Sequence, residues 1–218
     1  MNNILFDLDG TITDSGEGII NSTRYALNEL GVDISEGENL QKFIGPPLKD
    51  SFKKFYHFDE KKAKEGLIKF REYFEKYGMF ENNLYYGIEE VLKKIKEEGK
   101  NIILATSKPE VYARKILKHF KLDRYFDIIA GSDFEETRVK KEDVIKYALN
   151  ELQEIVNESI DLKDCIMIGD REYDIIGAKK NGIKCIGVLY GYGNIAELTK
   201  VNADFLIKKP EDILEILK

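Results

Sequence analysis

The chain has 218 residues, 43% of them hydrophobic and 34% charged, with a formal net charge of −6. That length allows one large domain or a core carrying a smaller one, in the composition range of ordinary globular proteins. The acidic balance gives no basic footprint for nucleic acid, so an anionic substrate needs counter-charge from a local site or a metal.

The first element is NILFDL (3–8), a short apolar strand that runs into Asp7 and Asp9. At Asp14 the period changes. Asp14-Ser15-Gly16-Glu17 offers an N-cap with an acid three residues on; Ile20, Thr23, Leu27 and Leu30 fall on one helical face, and Gly31 ends the helix. A second helix, LKDSFKKFY (48–56), follows Pro46-Pro47. KKAKEGLIKFREYFEKY (61–77) then places Ala63, Leu67, Phe70, Phe74 and Tyr77 at alternating spacings of four and three. No strand is expected between Asp14 and Asn82, so residues 15–82 read as a helical insertion. His57 and His119 fall in helix-like segments near aromatic residues, match no ligand spacing and read as structural.

Alternation resumes after the insertion. IEEVLKKIKEEGK (88–100) turns Ile88, Val91, Leu92 and Ile95 inward, with Gly99 just past its end. NIILATS (101–107) is a buried strand, and Pro109 suits the first turn of the helix after it. FDIIAGS, DCIMIGD, IKCIGVLY and ADFLI continue the strands; KEDVIKYALNEL, EYDIIGAKKNG and EDILEILK continue the helices. Strands that are apolar throughout, alternating with helices, indicate an α/β fold: a Rossmann-like parallel sheet covered on both faces. Cys165 and Cys185 lie within such strands, match no CxxC spacing and are expected as reduced core thiols. The start, Met1-Asn2-Asn3, lacks a signal peptide's basic and long apolar regions. No run of about 18 apolar residues could span a bilayer. A cytoplasmic protein with no nucleic-acid or membrane partner is expected.

In such sheets ligands bind at the carboxyl ends of the strands, and those ends carry the reactive-type groups. Asp7 and Asp9, two apart in extended chain, point the same way. They repel unless one is protonated or a cation lies between them. A hard divalent cation such as Mg²⁺ resolves the conflict and would also recruit Asp170; the bland alternative is a turn around Gly10. Asp170 and Asp174, at i and i+4, would share one side of a helix. Thr106 and Ser107 end a strand where helix N–H groups suit an anion, and Ser107 could equally cap that helix. Lys141 could bring an ammonium to the cleft, with Lys140 as the alternative; either could instead be a solvated helix-start lysine. Gly191–Ala196, GYGNIA, fits G-x-G-x-x-A, but too little chain follows for a dinucleotide unit, so it reads as a turn.

With these residues in view, the chain resembles the haloacid dehalogenase superfamily, in its phosphoglycolate-phosphatase-like branch. DLDGTITDS (7–15) resembles the first motif, Thr106 in LATSKP the second, Lys141 the third and GDREYD (169–174) the fourth, in the family's order. One departure is the third motif, Lys-Pro in many relatives and Lys-Lys-Glu-Asp here. The resemblance implies a core of 1–14 and 83–218 with 15–82 as an inserted helical cap. It implies Asp7 as nucleophile forming an aspartyl-phosphate, and Asp9 as general acid and base that also binds Mg²⁺ through its main-chain carbonyl. Thr106 and Lys141 would hold the phosphoryl group, joined by Ser107 on the strength of its place at the strand end; Asp170 would bind Mg²⁺ directly, and Asp174 would support it from behind. The acid at position 9 disfavours carbon–halogen cleavage, because members doing that chemistry have none there. Lys49, in FIGPPLKD (43–50), is the cap candidate for substrate contact; a solvated surface lysine is the alternative. The expectation is a Mg²⁺-dependent phosphatase of small phosphorylated metabolites, 2-phosphoglycolate or a nucleoside monophosphate leading. A sugar phosphomutase on the same core and a catalytically idle binding protein are the rivals.

Overall fold

A computed structural model describes residues 1–35, 38–134, 137–157 and 159–218. The chain divides into two compact units, Met1–Asp14 with Leu84–Lys218, and Ser15–Asn83.

In chain order the first unit holds β1 (Asn3–Phe6) and the two-residue β2 (Thr13–Asp14). The chain leaves for the second unit through α1 (Gly16–Glu29), α2 (Leu48–Tyr56) and α3 (Glu60–Tyr73), and returns at β3 (Asn83–Leu84). There follow α4 (Ile88–Glu97), β4 (Asn101–Pro109), α5 (Glu110–His119), β5 (Ile128–Ser132), α6 (Lys141–Val156), β6 (Cys165–Gly169) and α7 (Glu172–Lys180). The last elements are β7 (Lys184–Val188), α8 (Ile195–Lys200), β8 (Phe205–Ile207) and α9 (Asp212–Ile216).

Six strands form a parallel sheet in the order β5-β4-β1-β6-β7-β8, flanked by helices. The fold is thus the α/β, Rossmann-like core that the all-apolar strands require. Residues such as Ile4, Leu5, Ile103, Ile166 and Met167 are at most 1% exposed, and each fully buried aliphatic side chain contributes roughly 1.5–3 kcal/mol. One face of the sheet packs Leu5, Ile103 and Met167 against Val144, Ile145 and Ala148 of α6 and Ile175 and Ala178 of α7. From β1 the chain order runs outward both ways, through β4 to β5 and through β6 to β8. The reversal falls beside β1, and a doubly wound sheet opens its ligand crevice at such a point.

The helical unit has a core of another kind. Phe43 meets Phe52 edge-on at 5.1 Å, Phe52 stacks on Phe58 at 5.8 Å, and Phe70 stacks on Phe74 at 5.4 Å. Several local readings need correction here. Ser15, rather than Asp14, precedes α1 as its N-cap, and no side chain caps it. The buried face of α1 is Gly18, Ile19, Ser22, Thr23, Ala26 and Leu27, whereas Ile20 and Leu30 are half-buried. Small residues dominate that face because the chain comes very close: a Cβ on Gly18 would lie 1.9 Å from the Gly78 carbonyl oxygen. Tyr77 is 48% exposed because Phe74–Gly78 is wound as a π-helix, which breaks the periodicity that predicted an inward ring.

Candidate active site

β1 ends at Phe6, and the Asp7 N–H still bonds the Ile168 carbonyl of neighbouring β6 at 2.9 Å. The chain then turns: the Leu8 carbonyl accepts from Ile12 and Thr13, and Gly10 takes φ +84°, a conformation open to glycine. The turn separates the two acids expected to face one cation. Asp7 meets Asp170 and Asp174, with ligand oxygens of all three within 4.8 Å of one another and all three buried. The Asp9 carboxylate lies instead 3.1 Å from the Lys108 ammonium.

Asp170 directly follows β6 and is 0% exposed. It is not helical, since α7 begins at Glu172, so the i, i+4 argument for its pairing with Asp174 is corrected. Asp174 is turned inward from the first turn of α7, where its Oδ2 accepts the Arg171 N–H at 3.0 Å. Gly169 makes room for it: a Cβ there would be 2.2 Å from Asp174 Cγ.

Lys141 opens α6 and reaches the acids from behind. Its Nζ is 2.7 Å from Asp7 Oδ1 and 2.8 Å from Asp174 Oδ1, and donates to the Ala105 carbonyl at 3.1 Å. Lys140 is exposed, so Lys141 is the lysine that enters the site. Thr106 is 1% exposed and its Oγ1 accepts the Lys108 N–H at 3.3 Å. Ser107 does not cap α5: β4 continues through Pro109, which occupies the N-cap position, and the helix starts at Glu110. Pro109 therefore precedes the helix instead of lying in its first turn. Lys49 belongs to the helical unit, where it is ion-paired with Glu60 at 3.2 Å. His57 and His119 are exposed, each at a helix end.

The haloacid dehalogenase-like hydrolase family model matches residues 4–188, which carry every one of these strand-end groups. The chain belongs to that family. A 5'-nucleotidase of Pseudomonas aeruginosa is 45% identical over 196 residues, 90% of this chain and 86% of that one. A tyrosine-protein kinase, PtkA, of Mycobacterium tuberculosis is 35% identical over 205 residues, 94% of this chain and 65% of the kinase. The crystal structure of a predicted phosphatase from Clostridium acetobutylicum has a TM-score of 0.91 at 46% identity, covering 99% of this chain and 97% of that one. The chain is a hydrolase of the phosphatase type within the family.

For a haloacid dehalogenase-like hydrolase, the charge balance of the cluster is informative. Burial pushes the Asp170 carboxyl well above the usual carboxylate range, and the charges of Asp174 and Asp7 push it further. Asp174 is pushed up to about 6, because its burial outweighs the pull of Lys141. Burial works to lower the Lys141 ammonium, yet Asp174 and Asp7 overcome it and hold the lysine charged. Lys141 thus pairs with Asp7 and Asp174, while the third acid, Asp170, keeps its Oδ1 buried without a hydrogen-bond partner. An all-oxygen donor set with surplus negative charge fits a hard divalent cation.

Lys108 is the residue that sequence reasoning passed over. Of its neighbours, Thr106, Ser107 and Pro109 were read, and Lys108 was given no role. No periodicity marked it, because β4 shifts register between Ala105 and Pro109 and the strand read from sequence stops at 107.

Proposed function

We propose that the chain is a Mg²⁺-dependent phosphatase of small phosphomonoesters that works through an aspartyl-phosphate on Asp7. The observation that carries this reading is the Lys141 ammonium held between Asp7 and Asp174 beside the unpartnered Asp170 oxygen. An ionised aspartate approaching a phosphate dianion meets like charge, costing roughly 4 kcal/mol per unit-charge pair at about 4 Å and an effective dielectric near 20. Lys141 offsets part of that repulsion. Asp7, Asp170 and the Asp9 main-chain carbonyl would hold the cation, with Asp174 orienting the set; when bound, Mg²⁺ neutralises charge on the phosphoryl oxygens.

In the first step an Asp7 oxygen bonds to phosphorus as the ester P–O bond breaks, and Asp9 gives its proton to the leaving alcohol. In the second, Asp9 takes a proton from water, the water oxygen bonds to phosphorus, and the bond to Asp7 breaks. Thr106, Ser107 and Lys141 are assigned to the phosphoryl oxygens. The helical unit Ser15–Asn83 is assigned the selection of the leaving group, with Lys49 as its candidate contact. A nucleoside monophosphate leads among substrates, supported by the 45% identity to a 5'-nucleotidase; 2-phosphoglycolate follows.

A phosphomutase or a protein kinase would pass the group to another hydroxyl, and the likeness to PtkA makes that rival concrete. Inorganic phosphate release from nucleoside monophosphates, with Mg²⁺ and no added acceptor, decides. Turnover to phosphate supports the phosphatase; transfer of the phosphoryl group to an added sugar phosphate or tyrosine peptide, with no phosphate released from the monophosphate alone, overturns it.

A further inference from the structure

Gly191-Tyr192-Gly193, a turn by its sequence, wraps the Asp170 end of the acidic cluster. The Tyr192 N–H donates to Asp170 Oδ2 at 2.7 Å. A Cβ on Gly191 would lie 2.4 Å from Asp170 Cβ and 2.2 Å from the Gly10 carbonyl oxygen; one on Gly193 would lie 1.8 Å from the Asp170 carbonyl oxygen. On the other side, a Cβ on Gly10 would lie 2.2 Å from Asp170 Oδ2. Asp170 is therefore enclosed by backbone that only glycine allows so near.

The loop is also tied down at its rings. The Tyr192 hydroxyl donates to Asp14 Oδ1 at 2.5 Å, and the Tyr190 hydroxyl donates to the Thr11 carbonyl at 3.1 Å. The Tyr190 ring meets Tyr85 edge-on at 4.9 Å. Thr11 and Asp14 lie in the segment that carries Asp7, so the clasp joins the chain bearing one acid to the chain bearing another. Like charges repel, so a carboxylate placed among others needs a partner to fix its direction. A hydrogen bond accepted at Oδ2 fixes it and leaves Oδ1 as the donor atom.

We propose that the loop Gly191–Gly193, locked by the Tyr192–Asp14 hydrogen bond, is the positioning element of the cation site and presents Asp170 Oδ1 to the metal. The inference rests on the cation reading above. Tyr192 acts through Asp170, so it is a positioning residue.

Direct Mn²⁺ binding to the full chain, measured by electron paramagnetic resonance alongside melting temperatures with and without Mn²⁺, tests it. Asp170→Ala marks the binding that belongs to this site. Tyr192→Phe and Asp14→Ala should each weaken Mn²⁺ about tenfold, and Gly193→Ala by up to about 100-fold, the range for groups that orient metal ligands. The double variant Tyr192→Phe/Asp14→Ala should be no weaker than either single one, because both remove the same bond. The Mn²⁺-induced rise in melting temperature should shrink in step. Folded Tyr192→Phe with wild-type Mn²⁺ affinity, or with a melting temperature lowered equally with and without Mn²⁺, overturns the clasp and leaves the cation site standing. Wild-type protein without Asp170-dependent Mn²⁺ binding overturns both. If Gly193→Ala fails to fold, Tyr192→Phe and Asp14→Ala decide.

Discussion

Two lysine–carboxylate assemblies serve the segment Asp7–Asp9, and they are built differently. Lys141 places its ammonium in ion-pair contact with both Asp7 and Asp174 and donates to the Ala105 carbonyl. Lys108 approaches Asp9 Oδ2 from the far end of β4, and Asp9 Oδ1 stays buried without a hydrogen-bond partner. A nucleophile needs its charge held and its direction fixed; a proton carrier needs an oxygen free to hold the proton. In the proposed mechanism the two assemblies divide those requirements between them.

The largest effect should come from the first assembly. Asp7→Asn removes the proposed nucleophile and should cut turnover by at least about 10⁴-fold, as loss of a covalent catalyst does elsewhere, with the far-ultraviolet circular dichroism unchanged. Near-normal kcat in that variant would dismiss Asp7 from the covalent role.

Lys141→Met should come next. It strands two buried carboxylates, a change that costs about 3–5 kcal/mol when one partner of a buried pair is deleted. Turnover should fall by about 10²–10³-fold with the lost charge stabilisation. Lys141→Arg should not restore it, since a planar fork cannot take the place of a compact ammonium between two acids and a carbonyl. Urea melts and kcat/KM for the two variants check this.

The second assembly should fail in a graded way. Asp9→Asn should lose about 10²–10⁴-fold, the usual span for a general acid–base group. The loss should be greatest for alkyl phosphates and least for p-nitrophenyl phosphate, whose leaving group needs no proton. Lys108→Met should show the same leaving-group trend at smaller amplitude. An equal loss across leaving groups would detach Lys108 from proton transfer.

How far sequence alone reached follows the same divide. The strands of the sheet were legible because a parallel sheet buried on both faces needs apolar runs, and 165–169 and 185–188 are such runs. The strand-end acids were legible because sheet topology, more than side-chain detail, brings together Asp7 and Asp170, which directly follow the adjacent strands β1 and β6. What depends on a turn was not. The divergence of Asp9 from Asp7 comes from the tight turn at Gly10. The absence of a Ser107 cap comes from β4 running on through a register shift to Pro109. Helix α8 went unread because the glycines before it look like punctuation, although Asn194 caps it by accepting the Glu197 N–H. The face of α1 was misread because large apolar residues were followed where close packing needs small ones.

The smallest effect separates the assemblies most cleanly. Ligand binding to the folded state raises stability by about 2.7 kcal/mol when the ligand is at 100 times its dissociation constant. For a chain of this size that is a rise in melting temperature of roughly 5–10 °C, at about 2–4 °C per kcal/mol. Mg²⁺ should produce such a rise in the wild type, and Asp170→Ala should abolish it. Lys108→Met should keep it, because Lys108 pairs with Asp9, whose carboxylate lies outside the group formed by Asp7, Asp170 and Asp174. Lys141→Met should change it, because the same cluster would then meet the cation with its charge no longer shared. A Mg²⁺ shift lost in Lys108→Met and kept in Lys141→Met would reverse the division of labour.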